Sequence, residues 1–255
     1  MKHLVKSNDE IALLREGGKC LALVLRRVAE TVKSGVSTDE LDRLAEKLIR
    51  EGGDEPAFKD YTPDGADRPY PATICISVND EIVHGIPTEH PRILKKGDIV
   101  SLDLGLVHRG LITDSALTVP VGKVADDVRE LLSTTKAALQ KGIDAARGGA
   151  RVGDIGHAIE TFVDGRYGIV EELGGHGVGW RVHEDPMIPN YGSPGTGMEL
   201  LPGMVIAIEP MLNMGGRHIV LDPDGYTFRT KDGKWSAHFE HTLVITDGAP
   251  EVLTK

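Results

Sequence analysis

The stretch 101-SLDLGLVHRGLITDS-115 decides how the chain is read. Two apolar runs flank a short polar centre, His108-Arg109-Gly110, and each run carries one carboxylate, Asp103 and Asp114. Such runs around a Gly-containing centre predict an antiparallel hairpin. With the turn centred between His108 and Arg109, Asp103 and Asp114 stand opposite each other. Like charges directly across a strand pair destabilise it. Two facing carboxylates therefore need a proton or a cation between them. Asp103 alternates with Leu102 and Leu104 and so shares a face with Ser101 and Gly105. The plain alternative is a slipped register that turns one Asp to water.

Three further segments point to the same centre. The apolar strand 204-MVIAIE-209 closes on Glu209 and is followed by Pro210. A carboxylate at the end of a buried strand is costly unless something pairs with it. In 238-HFEHTLVIT-246, Glu240 opens another apolar run, where an exposed strand edge is the plain alternative. In 174-GGHGVGWRVHEDP-186, His176 lies between glycines, which allow close packing or positive φ, and His183 follows. The glycines forbid a stable helix, so this is not the His-Glu-x-x-His helix of zinc proteases. Asp103, Asp114, Glu209 and Glu240 with His176 carry too much negative charge for one divalent ion. They suit two ions roughly 3.5–4 Å apart, bridged by carboxylates and a hydroxide. Mainly oxygen donors without a thiolate admit Mn, Fe(II), Co or Zn.

The 255 residues suffice for a sizeable core. With 40% hydrophobic and 27% charged residues the composition is that of a folded globular chain, not a disordered one. A formal net charge of -10 argues against a nucleic-acid binder that relies on phosphate contacts. The two cysteines, Cys20 and Cys75, are too few for a disulfide scaffold and lack a zinc-ligand spacing. Reduced thiols, a charged N-terminus without a signal-peptide core, and no run near the ~18 apolar residues of a spanning helix predict a cytoplasmic, membrane-free protein.

Ser7-Asn8-Asp9-Glu10 and Ser37-Thr38-Asp39-Glu40 are capping boxes. They predict one helix to about Lys33, and a second with Leu41, Leu44, Leu48 and Ile49 on one face, ending at Gly52-Gly53. Residues 54–73 read as a long loop. Strands are expected at 73–78, 98–107, 111–119, 204–208, 226–230 and 238–246, and helices at about 125–147 and 152–164. An offset of 114 residues pairs Leu25 with Leu139, Lys33 with Arg147, Gly35 with Gly149, Leu41 with Ile155, Glu46 with Glu160 and Leu48 with Phe162. Each half reads as helix, Gly turn, helix, strands. Without strict alternation of strands and helices, α+β fits better than a parallel α/β sheet. No Gly-rich phosphate loop follows a strand, which argues against nucleotide chemistry.

The chain resembles the methionine aminopeptidases of the short bacterial type, the first subfamily of peptidase family M24, of the pita-bread fold. The matching segments are SVNDEIVHGIP (77–87), GDIVSLDLGLVHRGLITDSA (97–116), GGHGVGWRVHEDPMIPNYG (174–192), GMVIAIEPML (203–212) and SAHFEHTLVIT (236–246). The resemblance implies one catalytic domain over residues 1–255, two pseudo-symmetric halves around a central antiparallel sheet, and removal of the initiator methionine from nascent chains when the second residue is small. It implies that Asp103 holds one of two divalent ions through both oxygens, that Asp114 and Glu240 bridge both, and that His176 and Glu209 complete the other. Glu209 is then also the general base, His84 contacts the scissile amide nitrogen, and His183 steadies the carbonyl oxygen. Tyr70, Cys75, Val182 and Tyr226, with Tyr61 more loosely, line the methionine pocket. A monomer is the family default, and the origin of the substrate suggests ribosome association.

Four features depart from the family pattern: a longer 59–72 segment, Tyr226 where Trp is common, Trp180 where Arg is common, and His238 where Gln is frequent. Two rival readings share the ligand pattern. A proline-directed aminopeptidase or dipeptidase usually carries a large additional N-terminal domain, and this chain begins directly with the two helices. A non-catalytic binding protein of the same fold typically lacks several ligands, and here all five positions are filled.

Overall fold

A computed structural model describes residues 4–255 of the chain. The first half runs α1 (Asn8–Thr31), α2 (Thr38–Glu51), β1 (Glu55–Pro56), β2 (Cys75–Val78), β3 (Glu81–Val83), β4 (Ile99–His108) and β5 (Leu111–Pro120). Next come α3 (Asp126–Ala145), α4 (Val152–Val163), β6 (Gly168–Ile169), β7 (Gly174–Gly177), β8 (Glu184–Pro189) and β9 (Val205–Ile208). The last elements are β10 (Met211–Asn213), β11 (Ile219–Leu221), β12 (Phe228–Thr230), β13 (Ser236–His238), β14 (His241–Val244) and β15 (Glu251–Val252).

The helix starts follow from their caps. The Ser7 N–H donates to Glu10 Oε2 at 2.7 Å, and the Glu10 N–H donates to Ser7 Oγ at 3.3 Å. At α2 the Ser37 N–H donates to Glu40 Oε2 at 2.9 Å. Mid-helix glycines weaken α1 intrinsically. Here they permit close contact: a Cβ on Gly17 would stand 2.8 Å from His108 Cβ, and one on Gly18 2.5 Å from Leu253 O.

β4 is the centre of the first sheet, with β5 on one side and β2 and β1 on the other. Leu102, Leu104 and Leu106 point to α1 and α2 and pack with Leu21, Val28, Leu41 and Ile49. Strand alternation sends Asp103 and Gly105 to the opposite face. The second sheet runs β15-β14-β9-β7-β8. Its Ile206 and Ile208 pack under α3 and α4 with Ile143, Ile155 and Ile159. The 114-residue offset holds at the helix pairs. Gly35 and Gly149 both have positive φ, 93° and 82°, and Ser37 and Arg151 both form isolated bridges as their helices begin. Leu41 and Ile155 are both fully buried. This is the two-halved α+β pita-bread arrangement expected of the resemblance. No described helix is long and apolar enough to cross a membrane.

The hairpin forms, but its centre is displaced. The turn residues are Arg109 and Gly110, with φ of 49° and 83°. Two consecutive positive φ values match the right-handed twist of the strands, and Gly110 supplies one of them without steric cost. His108 therefore remains in the strand, paired with Leu111. Asp103 stands opposite Ala116, and Asp114 opposite Gly105. The expectation that the two carboxylates face each other directly is corrected: they are diagonal neighbours on one face. The expected strand 238–246 is likewise two strands. β13 pairs with β10 and β14 with β9, so the chain changes sheets at Phe239-Glu240. β2 begins at Cys75 and β12 at Phe228, later than expected.

Gly110→Ala should cost ~1–2 kcal/mol, the cost of a side chain in left-handed backbone. Urea unfolding should show a lower midpoint with an unchanged slope. An unaltered midpoint would contradict the turn geometry.

Candidate metal centre and substrate pocket

The face of β4 and β5 turned away from the helices meets the strand ends of the second half. Glu209 leaves β9 there, His176 comes from β7, and Glu240 sits at the sheet change. Hydroxyls fasten the two halves. Thr242 Oγ1 accepts the Asp114 N–H at 2.9 Å and donates to Asp114 O at 2.7 Å. Ser115 Oγ donates to Glu240 O at 2.8 Å, and the Glu240 N–H donates to Ala116 O at 2.9 Å.

Asp103, Asp114 and Glu240 are 8%, 3% and 2% exposed. One ligand atom each from Asp114, His176 and Glu240 lie within 4.8 Å of one another. His176 Nε2 is 3.5 Å from Glu209 Oε1. The structure thus brings all five expected positions together. Asp103 Oδ1, Asp114 Oδ1 and Glu240 Oε1 are buried without a hydrogen-bond partner. Native interiors rarely leave such atoms unsatisfied, and three unpartnered acceptors on residues that line one cavity fit a cation. His176 fits as well. Its Nδ1 bonds to Gly177 O at 2.9 Å, which leaves Nε2 as the free lone pair. Burial, with His183 beside it, lowers its pKa to about 3 and keeps the ring neutral.

The carboxylates respond to the same burial. Glu209 is raised to about 8 by desolvation. Asp114 is raised to about 7 by desolvation and by the charge of Glu209. Asp103 and Glu240 are pushed well above the carboxylate range by desolvation first and then by neighbouring carboxylates. Either protons or cations must occupy this centre.

A cavity of about 100 Å³ opens beside these groups. Tyr70, Cys75, Val182, Tyr226 and Tyr61, all expected, line it. Tyr70 and Tyr226 meet edge to face at 5.2 Å, and the Tyr70 hydroxyl donates to Gly85 O at 2.8 Å. Burial and the Asp103 charge raise the Cys75 thiol well above its ordinary value, which disfavours the thiolate that a nucleophile needs. Two wall residues were not anticipated, Phe58 and Pro63. Phe58 closes the pocket because Gly105 has no side chain: a Cβ there would lie 2.6 Å from Phe58 Cε1. The signal was present as the one Phe, beside Tyr61 and Tyr70, in the 54–73 loop.

His84 follows β3 in left-handed backbone, φ 60°, and lies edge-on to Phe228 at 5.9 Å. Burial lowers its pKa to about 4. His183 Nδ1 is 3.0 Å from the Tyr61 hydroxyl, and its ring is edge-on to His176 at 4.6 Å. Both histidines also line a wider cleft of about 700 Å³ that leads to the centre. His238 was noted in the sequence only as a departure beside Glu240. The structure places it in the centre, fully buried, with Nε2 3.4 Å from Glu209 Oε2 and both ring nitrogens without hydrogen bonds. Its spacing of two from Glu240, in a segment whose sequence reads as one strand, was the available signal.

Buried acids, a neutral imidazole and an adjoining apolar pocket are the furnishings of a metallopeptidase. The model of metallopeptidase family M24 matches residues 12–247. Methionine aminopeptidase 1 of Bacillus subtilis is 45% identical over 253 residues, 99% of each chain. The crystal structure of a methionine aminopeptidase from Thermotoga maritima superposes with a TM-score of 0.93 at 40% identity, covering 98% of both chains. A prolidase from Pyrococcus furiosus shares the fold alone, with a TM-score of 0.75 at 22% identity, and this chain covers 65% of it. The chain belongs to metallopeptidase family M24 and, within it, to the methionine aminopeptidases.

The shifted groups set a pH dependence. Glu209 and Asp114 hold protons in the folded state that they lose when unfolded, since their usual values are 4.5 and 3.8. Their contribution to stability is present below those values and is lost as pH rises through about 7 to 8. His176 and His238, lowered from 6.5 to about 3, act the other way, and their contribution is complete above 6.5. Above 6.5 the carboxylates therefore dominate. In chelator-treated protein the thermal midpoint should fall between about pH 6.5 and 8, and saturating Mn or Co should abolish the fall. A midpoint that stays flat in the treated protein would mean that these acids are solvated.

Proposed function

We propose that the protein removes the N-terminal methionine from nascent chains and peptides, preferring a small second residue. In this reading residues 1–255 act as one catalytic domain. The observation that carries it is that Asp103, Asp114 and Glu240, each with a buried oxygen that has no partner, line the same mainly apolar cavity. Asp103 would hold one divalent ion, His176 and Glu209 the other, with Asp114 and Glu240 shared. Bound ions supply Lewis-acid stabilisation of negative oxygen and acidify water. The oxygen-rich donor set suits Mn, Fe(II), Co or Zn.

The remaining steps belong to side chains of the chain. Tyr70, Tyr226, Phe58, Cys75 and Val182 surround an unbranched thioether, which gains from aromatic contact. The pocket ends at the acidic centre, so a free terminal ammonium binds there and an acylated one does not. Glu209 is the base. Burial raises its proton affinity, and divalent ions held by His176, Asp114 and Glu240 would bring it back toward the working range. With the Tyr61 O–H donating to His183 Nδ1, the Nε2–H of His183 serves as donor to the substrate carbonyl. His84, neutral by burial, meets the amide nitrogen as it becomes an amine. The substrates are the N-termini of newly made proteins. The protein works in the cytoplasm as a monomer, near the ribosome, with no nucleic-acid or membrane partner.

A panel of Met-Ala-Ser, Met-Lys-Ser, Ala-Pro-Ser and acetyl-Met-Ala-Ser tests the specificity. Chelator-stripped enzyme given Mn or Co should release Met from the first peptide alone. Cleavage of Ala-Pro-Ser in its place would assign the proline-directed specificity. Metal-containing enzyme that cuts none of the four would assign a binding role.

Glu209→Gln should lower kcat about 10²–10⁴-fold, the usual worth of a positioned base, with the fold retained by circular dichroism. Unchanged turnover would sink the proposed role of Glu209.

A further inference from the structure

A second group of metal-ligating side chains lies outside the centre described above. Cys20 of α1, Asp54 in the link from α2 to β1, and His108 at the end of β4 place ligand atoms within 4.8 Å of one another. His108 Nδ1 is 2.7 Å from Asp54 Oδ1. The Asp54 side chain is 5% exposed and that of His108 14%. We propose that Cys20, Asp54 and His108 form a zinc site, distinct from the catalytic centre in both position and donor chemistry.

Position separates the two. His108 is five residues along β4 from Asp103, roughly 16 Å at strand spacing. It also lies on the opposite face, turned toward α1 with Leu102, Leu104 and Leu106. The donors separate them as well. A thiolate, an imidazole and a carboxylate select zinc over magnesium or calcium, which want oxygen alone. Zinc-bound ligand atoms stand about 3.5 Å apart, given bond lengths of 2.0–2.3 Å. His108 Nδ1 and Asp54 Oδ1, hydrogen-bonded at 2.7 Å, would separate to that spacing on binding. A zinc-bound histidine usually donates its other N–H to a carboxylate. That arrangement is already built, because His108 Nε2 faces Glu16 Oε2 at 3.4 Å. Glu16 and Cys20 are four residues apart and so share one face of α1.

Three protein donors leave the fourth tetrahedral position to water. Binding releases the Cys20 thiol proton to solvent, while Asp54 binds as the carboxylate. The ion ties α1, the α2–β1 link and the end of β4 together at one point. Gly17 makes that point reachable, because any side chain there would collide with His108.

Cobalt reports on the site, because a thiolate ligand gives a near-ultraviolet charge-transfer band that oxygen and imidazole ligands do not. The full-length enzyme, saturated with Co(II), should show this band. Cys20→Ser should abolish it and lower bound zinc, counted by atomic absorption, by one ion per chain, with Met release unchanged. His108→Gln retains the thiol, lies at the strand end, and should also lose the band. Absence of the band from the folded, cobalt-saturated parent would overturn the proposal. So would a band that survives in both variants, since it would then arise from Cys75.

Discussion

Mutual repulsion among buried carboxylates is the constraint on which the rest depends. Asp103, Asp114, Glu209 and Glu240 would separate or turn to water if their backbones were free to do so. Each is instead fixed by structure that cannot relax cheaply. Asp103 and Asp114 lie on paired ten-residue strands, Glu209 ends a fully buried strand, and Glu240 sits where the chain passes between sheets. Thr242, Ser115 and Thr118 tie β5 to residues 238–242 by hydroxyl bonds to backbone. Each bond contributes about 1 kcal/mol net, and together they hold acids where an unsupported chain would not. The strain becomes useful when cations take up the charge.

The two-halved layout puts that tension where it does least harm. α1 and α2 cover the outer face of the first sheet, and α3 and α4 cover the outer face of the second, each over its own apolar cluster. The polar centre falls on the inner faces, between cores that are complete without it. Loss of a cation therefore stresses the junction before either core. The same layout explains why the pocket wall comes from the irregular 54–73 segment, since the inner face has no helix to cover it.

Local chemistry made much of this legible in sequence. Ser-x-x-Glu boxes marked α1 and α2, paired glycines marked the repeat, and apolar runs marked β4, β5 and β9. The four candidate acids were visible because acids in or at the ends of apolar runs have no cheap structural explanation, and His176 was visible from its flanking glycines. The hairpin centre was misplaced by one residue because symmetry about the two acids was weighed above the need for two positive φ values at Arg109-Gly110. Strands of two to six residues, such as β3, β6, β8, β10, β11 and β15, are too short or irregular to show a period. The break at Phe239-Glu240 was hidden for a different reason: both pieces are apolar, and only their partners differ. Phe58 and His238 left only faint local signals, an aromatic in an irregular segment and a spacing of two from Glu240, and tertiary contacts bring them to the site.

Trp180 shows how a departure from a family pattern can carry its own physics. The Lys6 ammonium is 3.4 Å from the centre of the Trp180 ring and 2.6 Å from Glu184 Oε2, and it is almost wholly buried. The indole N–H donates to Glu10 Oε1 at 2.7 Å, and Glu184 Oε1 accepts the N–H groups of Trp180 and Arg181 at 2.5 and 2.8 Å. Burial lowers the pKa of Lys6, and Glu184 opposes that shift. Removing either charge of such a pair typically costs about 3–5 kcal/mol, because the other is left buried and unpaired. Gly179 completes the device: at φ 138° it leaves space that a Cβ would take from Lys6 Cε, 2.5 Å away. The segment so fastened carries Val182 and His183, one a wall of the pocket and the other a neighbour of His176. A lysine from the segment before α1 thus steadies the Gly-rich loop from outside the centre, and the loop can bring His183 close without a helix or a long strand beneath it.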